Sequence, residues 1–194
     1  MTIDNNDILA AIKKSPENGF RLLMAEYKEP VYWHIRRLVV NHDDAQDATQ
    51  EAFVRVFRSL DQYSGANSFT AWIYRIATNE ALRLIERRGR NLIIELEEVA
   101  TYIQADEYID YSDVEAVKLQ EAIHRLPAKQ QVVFNLRYYD EMSYDEIATV
   151  MESNANAVKT NYHLAKEKIV KYMKQNDWYG TGIWFQPCGQ ADAL

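Results

Sequence analysis

Apolar residues that recur every three or four positions constrain this chain more than any other feature. Between residues 20 and 39 they are Phe20, Leu23, Met24, Tyr27, Val31, Ile35, Leu38 and Val39. The same spacing returns over residues 45–60, 69–85 and 116–169. It is the period of α-helices with one buried face. Because the 194 residues include only six glycines and four prolines, the chain is predicted to be all-α.

A run of acidic residues divides the chain. Residues 95–116 contain eight Asp or Glu and no Lys or Arg, while the whole chain has a net charge of −7. The parts on either side are therefore close to neutral and can carry local basic faces. We predict two small helical domains, residues 1–92 and 116–175, joined by an acidic linker, residues 93–115. An aromatic tail, residues 176–194, follows the second domain.

Several classes of protein are disfavoured by what the sequence lacks. No apolar run reaches the length of a transmembrane helix, and residues 1–19 contain no signal-peptide core. The single cysteine, Cys188, excludes an internal disulfide. The four histidines are scattered, and neither a glycine-rich phosphate loop nor a nucleophile motif occurs. We therefore expect a cytoplasmic protein without membrane insertion, catalytic site, metal or cofactor.

The C-terminal part has the pattern of a helix-turn-helix. Ser143 and Glu146 match a capping box that opens a short helix, and Asn154 is placed to cap a longer one. In this motif the outward residues of the second helix enter the major groove of DNA. Here they are Asn156, Lys159, Thr160, His163 and the phosphate-reaching Lys166. Similar helix pairs occur in proteins that do not bind DNA, so spacing alone leaves both interpretations open.

The segment FTAWIYRIATNEALRLIERRGR, residues 69–90, concentrates arginine and aromatic residues in an acidic chain. Trp72 lies on the apolar stripe of this helix, whereas Tyr74, Thr78 and Asn79 fall largely off it, on a second face. Arginines interleaved with aromatic rings suit stacking on single-stranded bases. The alternative is a solvated charged face over an aromatic core, because arginine stems often cover apolar surface without binding anything.

Further expectations concern helix ends and breaks. Asp43 or Asp44 is a plausible N-cap for the helix that follows. Pro30 suggests a kink or a break between two helices, and Pro127 suits the first turn of another helix. Phe57 is placed on the buried face of the helix that begins near Asp43.

Two stretches, taken together, resemble the extracytoplasmic-function sigma factors, the compact two-domain initiation subunits of bacterial RNA polymerase. The family's second conserved region is similar to DDAQDATQEAFVRVFRSLDQYSGANSFTAWIYRIATNEALRLIERRGR, and its fourth to AIHRLPAKQQVVFNLRYYDEMSYDEIATVMESNANAVKTNYHLAKEKI. The matches follow the family's order and are separated by a variable linker. The resemblance implies a factor that binds core polymerase and directs promoter-specific initiation, with no catalysis of its own.

The resemblance also implies protein partners. A docking face for the clamp helices of the largest polymerase subunit would consist of Asp44, Asp47, Gln50 and Glu51. A groove around Leu136 to Ile147 would receive the flap of the second-largest subunit. An anti-sigma factor is a further candidate partner.

The resemblance implies two contacts with promoter DNA. The minus-ten element would be melted and its non-template strand captured by Tyr63, Trp72, Arg75, Asn79, Arg83, Arg87 and Arg88. Within this set, Asn79 matches the residue that contacts one flipped base, and the loop at residues 64–68 forms the rim of its pocket. The duplex minus-thirty-five element would be read from the second helix of the helix-turn-helix, at Lys159, Thr160 and His163.

The sequence departs from the family at three positions. Glu152 stands in the turn where glycine is usual, and Asn161 and Leu164 stand where arginine is frequent, which weakens the expected phosphate contacts. Two rival interpretations follow, a stand-alone helix-turn-helix regulator and a degenerate homologue that acts through protein contacts. We also hypothesise that, without polymerase, the two domains pack together and cover their DNA faces.

Overall fold

The computed structural model describes residues 3–39, 41–65, 68–88 and 114–175. Within these ranges the chain forms eight α-helices, one turn of 3-10 helix (Leu60–Gln62) and no strand. The helices are α1 (Asn5–Lys14), α2 (Pro16–Val39), α3 (His42–Ser59), α4 (Phe69–Arg88), α5 (Val114–His124), α6 (Ala128–Tyr138), α7 (Tyr144–Val150) and α8 (Ala155–Gln175). The all-α prediction is confirmed. None of these helices is both long and apolar enough to cross a bilayer. The predicted linker, apart from its last two residues, and the predicted tail lie outside the described residues.

Helices α2, α3 and α4 pack side by side in the N-terminal part. Their inward faces bury large apolar side chains, among them Leu23, Phe53 and Ile73, each no more than 4% exposed. Burying a side chain of this size contributes about 1.5–3 kcal/mol. Helix α1 folds back onto the start of α2 at Gly19, where an added Cβ would lie 2.4 Å from the backbone of Ile12. Only glycine fits that approach.

Two helix starts follow the expected local chemistry. The Ser143 hydroxyl accepts from the Glu146 N–H, and the Glu146 carboxylate accepts from the Ser143 N–H, which completes the capping box of α7. The backbone bond from Ser143 also lowers the pKa of Glu146. At α8, Asn154 Oδ1 accepts from the Ala157 N–H at 2.8 Å. Both caps were predicted and both are confirmed.

The start of α3 differs from the expectation. Its N-cap is Asn41, whose side-chain oxygen accepts from the Asp44 N–H at 3.1 Å, so the prediction of Asp43 or Asp44 as the cap is wrong. Both aspartates lie instead in the first turn, where negative charge suits the helix dipole. Helix α2 runs through Pro30 without a break, and α6 begins just after Pro127, its N-cap.

The C-terminal part is a four-helix unit that ends in the helix-turn-helix. Helices α5, α6 and α8 enclose a core of their own, in which Ile123 and Phe134 are buried. The turn between α7 and α8 holds Glu152 at φ 48°, in the left-handed region that favours glycine. The Ser153 N–H donates to the Ala148 carbonyl at 2.9 Å and closes the turn.

The two parts pack against each other, with α7 on α4 and α6 on α2. One core crosses the boundary, because Val132, Leu136 and Ile147 belong to the same buried cluster as the N-terminal apolar side chains. On α4, Tyr74 and Thr78 are 4% and 1% exposed. The expectation that they fall off the buried face of α4 is therefore wrong. Their hydrogen-bond partners are distant in the sequence, His34 for Thr78 and Asp140 for Tyr74, so the periodicity of α4 alone carries no information about their burial.

A buried polar network joins the two parts. The Nδ1–H of His34 donates to Asp140 Oδ2 at 3.0 Å, and His34 Nε2 lies 2.9 Å from Thr78 Oγ1. The Tyr74 hydroxyl donates to Asp140 Oδ1 at 3.4 Å, and Arg37 Nη1 lies 3.5 Å from the same oxygen. Burial, together with the Asp140 carboxylate, raises the pKa of Tyr74, so its hydroxyl remains a donor. One carboxylate of the C-terminal part thus meets three side chains of the N-terminal part.

Candidate nucleic-acid interface

The four residues that the sequence assigns to polymerase lie on α3, and three of them are exposed. Asp47, Gln50 and Glu51 share one face because they are spaced three and four residues apart. Asp44, one turn earlier, is only 7% exposed. The solvent-facing set is therefore smaller than the sequence indicated, and it begins at Asp47.

A shallow apolar cleft lies beside this face, and sequence patterning missed it. Phe20 and Met24 of α2 and Phe53 and Phe57 of α3 line a space of about 610 Å³. Phe57 is 45% exposed, so its prediction as a buried residue is wrong. Its ring meets Phe20 edge-on, with 4.9 Å between centroids. Because Gln50 borders the same cleft, one partner could make polar and apolar contacts there together.

An aromatic cluster supports the start of α4. Trp72 stacks on Phe69 with 5.8 Å between ring centroids, and Tyr63 lies 5.4 Å from Trp72 and 5.0 Å from Phe69. Trp72 is only 7% exposed and Tyr63 is half-buried. Trp72 therefore fixes the position of the neighbouring loop and presents little ring surface to a ligand.

A polar stripe runs along α4 at steps of four residues. It consists of Arg75, Asn79, Arg83 and Arg87, and we call it the α4 stripe. Asn79, Arg83 and Arg87 are exposed and Arg75 is half-buried. Residues four apart lie on neighbouring turns of one helix face, so the stripe places one arginine before the Asn79 amide and two after it. The side chain of Arg88, also predicted for this surface, lies outside the described residues.

A buried carboxylate anchors the middle of the α4 stripe. Glu80 is 7% exposed, and its Oε1 lies 2.6 Å from Arg83 Nη1 and 2.7 Å from Arg55 Nε. A carboxylate can be buried at low cost when cations satisfy its oxygens. Glu80 therefore holds Arg83 on α4 and ties it to Arg55 on α3. The sequence indicated this ion pair only through the spacing of Glu80, three residues before Arg83.

The N-terminal end of the α4 stripe contacts the helix-turn-helix. Arg75 Nη1 lies 3.4 Å from Glu152 Oε1, and the Ser68 hydroxyl donates to Glu146 Oε1 at 3.4 Å. Both acceptors belong to the C-terminal part, at the turn and the first helix of the motif. Two carboxylates thus lie against the surface that the sequence assigns to the minus-ten strand.

The second helix of the motif, α8, presents an exposed polar face. Its exposed residues include Asn156, Lys159, Thr160, His163 and Lys166. The structure thus brings together every residue that the sequence assigned to the major groove.

Several side chains of α8 are engaged with the protein itself. Thr160 Oγ1 donates to the Asn156 carbonyl at 3.0 Å, and Asn161 Nδ2 donates to the Ala157 carbonyl at 2.9 Å. Asn161 is half-buried, so its amide is directed to its own helix. Leu164 is 38% exposed and adds an apolar patch to the polar face.

Two family models match the chain at the regions that form these surfaces. Sigma-70 region 2 matches residues 23–91, and Sigma-70, region 4 matches residues 116–169. Together they span more than half of the chain. The chain belongs to the extracytoplasmic-function sigma factors of the sigma-70 family. Sigma factors of this family are initiation factors and carry no catalytic site, so the prediction that the chain is not an enzyme is confirmed by its family.

Relatives that are similar over most of the chain support this assignment. The sigma factor is 29% identical to the ECF RNA polymerase sigma factor SigW of Bacillus subtilis over 174 residues, which cover 84% of this chain and 93% of that protein. It is 28% identical to the ECF RNA polymerase sigma-E factor of Escherichia coli over 173 residues, covering 84% and 90%.

Two solved structures share the fold of this sigma factor. CnrH, in complex with the cytosolic domain of CnrY, has a TM-score of 0.66 at 20% identity and covers 88% of this chain and 97% of its own. The sigma factor RpoE from Bartonella quintana, in complex with the anti-sigma factor NepR, has a TM-score of 0.63 at 17% identity, covering 81% and 98%. These likenesses extend over both helical parts.

Proposed function

We propose that this sigma factor binds core RNA polymerase, reads the minus-thirty-five duplex with α8 and captures the melted minus-ten non-template strand on the α4 stripe. The observation that carries the proposal is the stripe itself. Three arginines flank one exposed asparagine on a helix that a buried aromatic cluster holds in place. A helix that served only to pack the core would not need exposed arginines around an asparagine in an acidic chain.

The chemistry of the α4 stripe suits an unpaired strand. Flipping a base from the duplex costs a few kcal/mol, which hydrogen bonds and stacking in a pocket offset. The Asn79 amide offers both a donor and an acceptor to a base edge. Arg75, Arg83 and Arg87 neutralise successive phosphates, and each neutralised phosphate releases a counterion. Tyr63, at the rim of the loop before α4, supplies a ring edge beside the captured base.

Two surfaces serve protein partners in this proposal. Asp47, Gln50 and Glu51 bind the clamp helices of the largest polymerase subunit, while Asp44 supports them from the start of α3. The groove around Leu136 to Ile147 binds the flap of the second-largest subunit. Because the sigma factor RpoE, which shares this fold, is solved in complex with the anti-sigma factor NepR, we propose an anti-sigma partner for this chain as well, acting in the cytoplasm.

The α8 face contributes less to affinity than the α4 stripe. Lys159 and Lys166 are its cations within reach of DNA phosphates, and Asn161 and Leu164 replace the arginines frequent in the family. Each lost phosphate contact lowers the salt dependence of binding by about one unit of slope. Duplex reading through Lys159, Thr160 and His163 then depends on polymerase holding the domain in register.

A gel shift with fork-junction promoter DNA, with and without core polymerase, tests the proposal. The promoter is first selected by run-off transcription from a promoter library with core enzyme and this protein. We expect a stable complex only when core enzyme is present. Tight duplex binding without polymerase would indicate a stand-alone regulator. A core complex that never shifts promoter DNA would indicate a degenerate homologue.

A further inference from the structure

The apolar cleft between α2 and α3 leaves large apolar side chains open to solvent. Val54 and Phe57 are 41% and 45% exposed, and Phe20 and Met24 line the α2 side. Apolar groups clustered at the surface in this way mark an interaction site. The cleft encloses about 610 Å³, a volume in the range of pockets that hold a small ligand. It therefore has room for a pair of aromatic side chains.

Two cations stand at the edge of the apolar cleft. Lys28 of α2 and Arg58 of α3 are exposed and line it together with the aromatic rings. An aromatic side chain that enters such a cleft buries much apolar surface and carries most of the binding energy, whereas the two charges oppose the approach of a basic partner. The cleft therefore fits an aromatic segment that is acidic or uncharged.

The aromatic tail, residues 176–194, has this composition. It contains two aspartates and no Lys or Arg. Its aromatic residues form two pairs, which we call the inner pair (Trp178 and Tyr179) and the outer pair (Trp184 and Phe185). Four aromatic rings within eight residues would present a large apolar surface to water unless another part of the molecule covered them. The tail thus matches the cleft in both chemistry and charge.

The end of α8, from which the tail continues, lies close to α2. In its last turn, the ring of Tyr172 lies against the Arg125 guanidinium, with 5.0 Å between Cζ and the ring centroid. The preceding residue, His124, accepts from Gln131 Nε2 at 3.0 Å, and the same nitrogen donates to the Arg37 carbonyl at 3.3 Å. These contacts lead from the end of α8 to the C-terminal end of α2.

The length of the tail decides which of its aromatic rings can reach the cleft. Met24 lies thirteen residues before Arg37 on α2, which is about 20 Å along the helix axis. The outer pair begins nine residues after the last residue of α8, and nine extended residues span about 30 Å. The inner pair begins only three residues after α8, a span of about 10 Å. The outer pair can therefore reach the cleft, and the inner pair cannot.

We propose that the aromatic tail folds back along α2 and docks its outer pair in the apolar cleft of the same molecule. The two rings pack against Phe20 and Phe57 and shield the exposed ring of Phe57 from water. Asp192, seven residues after the outer pair, then lies within reach of Lys28 and Arg58. The docking is independent of the proposed function, because the contact needs neither polymerase nor DNA.

A spin label on the tail tests the docking directly. Cys188 is the single cysteine of the chain and lies three residues after the outer pair, so a nitroxide attached there reports where the tail lies. Methyl NMR of the full chain with labelled methionines is recorded with the nitroxide oxidised and then reduced. We expect Met24, in the cleft, to lose most of its signal in the oxidised sample, while Met151, in the turn before α8, keeps its signal.

Two variants of the tail ask whether the outer pair makes the contact. Trp184→Ser with Phe185→Ser should restore the Met24 signal in the oxidised sample. Trp178→Ser with Tyr179→Ser is the matched control, because it removes two rings of similar size that cannot reach the cleft. In the control variant the Met24 signal should stay as weak as in the wild type.

A substitution in the cleft and a mixing experiment complete the test. Phe57→Glu places a charge in the cleft and should also restore the Met24 signal. If circular dichroism shows that it loses helical content, the tail variants still decide, because they change no residue of the described helices. A mixture of spin-labelled protein without isotope and isotope-labelled protein without spin label should show no loss at Met24. Loss in the mixture would place the tail of a second copy in the cleft and overturn docking within one chain. A full Met24 signal in the wild type, or equal recovery in both tail variants, would overturn it as well.

Discussion

The two helices proposed to contact DNA, α4 and α8, differ in how the protein itself engages them. On α4, Arg83 is held by the buried Glu80 and Arg75 is paired with Glu152. On α8, the cations stand over tyrosine rings, with Lys159 Nζ 5.6 Å from the ring centroid of Tyr144, and the outward face is open.

The difference shows that position in the fold sets the accessibility of each surface. In the α4 stripe, Arg83 is already paired with Glu80 and Arg75 with Glu152, so DNA phosphates must compete with these carboxylates. The α8 face is accessible at all times but has few cations. We therefore expect neither surface to bind DNA strongly in the free protein.

Neutralising the α4 stripe should produce the largest effect. The triple substitution of Asn79, Arg83 and Arg87 by alanine removes a base contact and two charge-assisted bonds, and should reduce open-complex formation about 100-fold or more. Run-off transcription with core enzyme measures this. Arg21→Ala is the control, since Arg21 is exposed on α2 away from the stripe. A loss of similar size in the control would show that any arginine matters and that the stripe has no special role.

Placing an arginine on α8 should bring the DNA affinity of its face closer to that of the α4 stripe. Leu164→Arg adds a cation on an exposed part of the face, and should raise holoenzyme affinity for the minus-thirty-five duplex by about tenfold while steepening the salt slope by about one. Fluorescence anisotropy over a series of salt concentrations measures both. Val170→Arg, exposed further along α8, should change neither. Equal gains from the two variants would indicate non-specific attraction.

Removing the anchor of the α4 stripe should have a smaller effect. Glu80→Gln keeps the shape, and its amide oxygen still accepts from Arg83 and Arg55 but without the charge, a loss of about 1 kcal/mol. It should therefore slow promoter opening about fivefold. Stopped-flow measurement of open-complex formation provides the rate. Glu86→Gln, exposed on the same helix, is the matched control. An unchanged rate in Glu80→Gln would mean that Arg83 needs no positioning.

The free energy of unfolding of the C-terminal part should fall modestly as the pH is lowered. Burial lowers the pKa of His124 to about 4, with a further contribution from the charge of Arg36, and Gln131 Nε2 donates to its Nδ1 at 3.0 Å. The folded state therefore keeps this ring neutral while the unfolded chain takes up a proton near pH 6.5.

The sign of this dependence follows from proton binding. Below pH 6.5 the unfolded state binds more protons, so stability falls as the pH falls, by about 0.7 kcal/mol between pH 7 and pH 6. Urea unfolding of wild type and His124→Gln at both pH values measures the difference, which should vanish in the variant. Because His163 is exposed, His163→Gln should retain the wild-type dependence.

Local chemistry explains which features the sequence could predict. The capping box at Ser143 and the cap at Asn154 depend on residues three apart, and Trp72 was placed in the core by the period of its own helix. Each of these features is decided within one or two helical turns. The helical periodicity and the two stretches that resemble the sigma family are likewise read from contiguous sequence.

Features that depend on distant partners were not predictable. The periodicity of α3 places Phe57 with the buried residues, but the neighbouring helices leave 45% of it exposed. Thr78 is buried against His34 of α2, Tyr74 contacts His34 and Asp140, and Asp140 and His34 are 106 residues apart in the sequence. No pattern within a single helix reports which other helix will cover it. Asp44 is buried although Asp47, Gln50 and Glu51, which the sequence grouped with it, are exposed.

Direct observation of the captured strand is the sharpest test of the central claim. A fluorescent adenine analogue, placed in the non-template strand of the minus-ten element, brightens when it leaves the base stack. With wild-type holoenzyme we expect a rise in fluorescence on mixing. With the Asn79, Arg83 and Arg87 triple alanine variant we expect none, although that variant should still bind core enzyme. An equal rise with both proteins would show that the α4 stripe does not hold the unpaired strand.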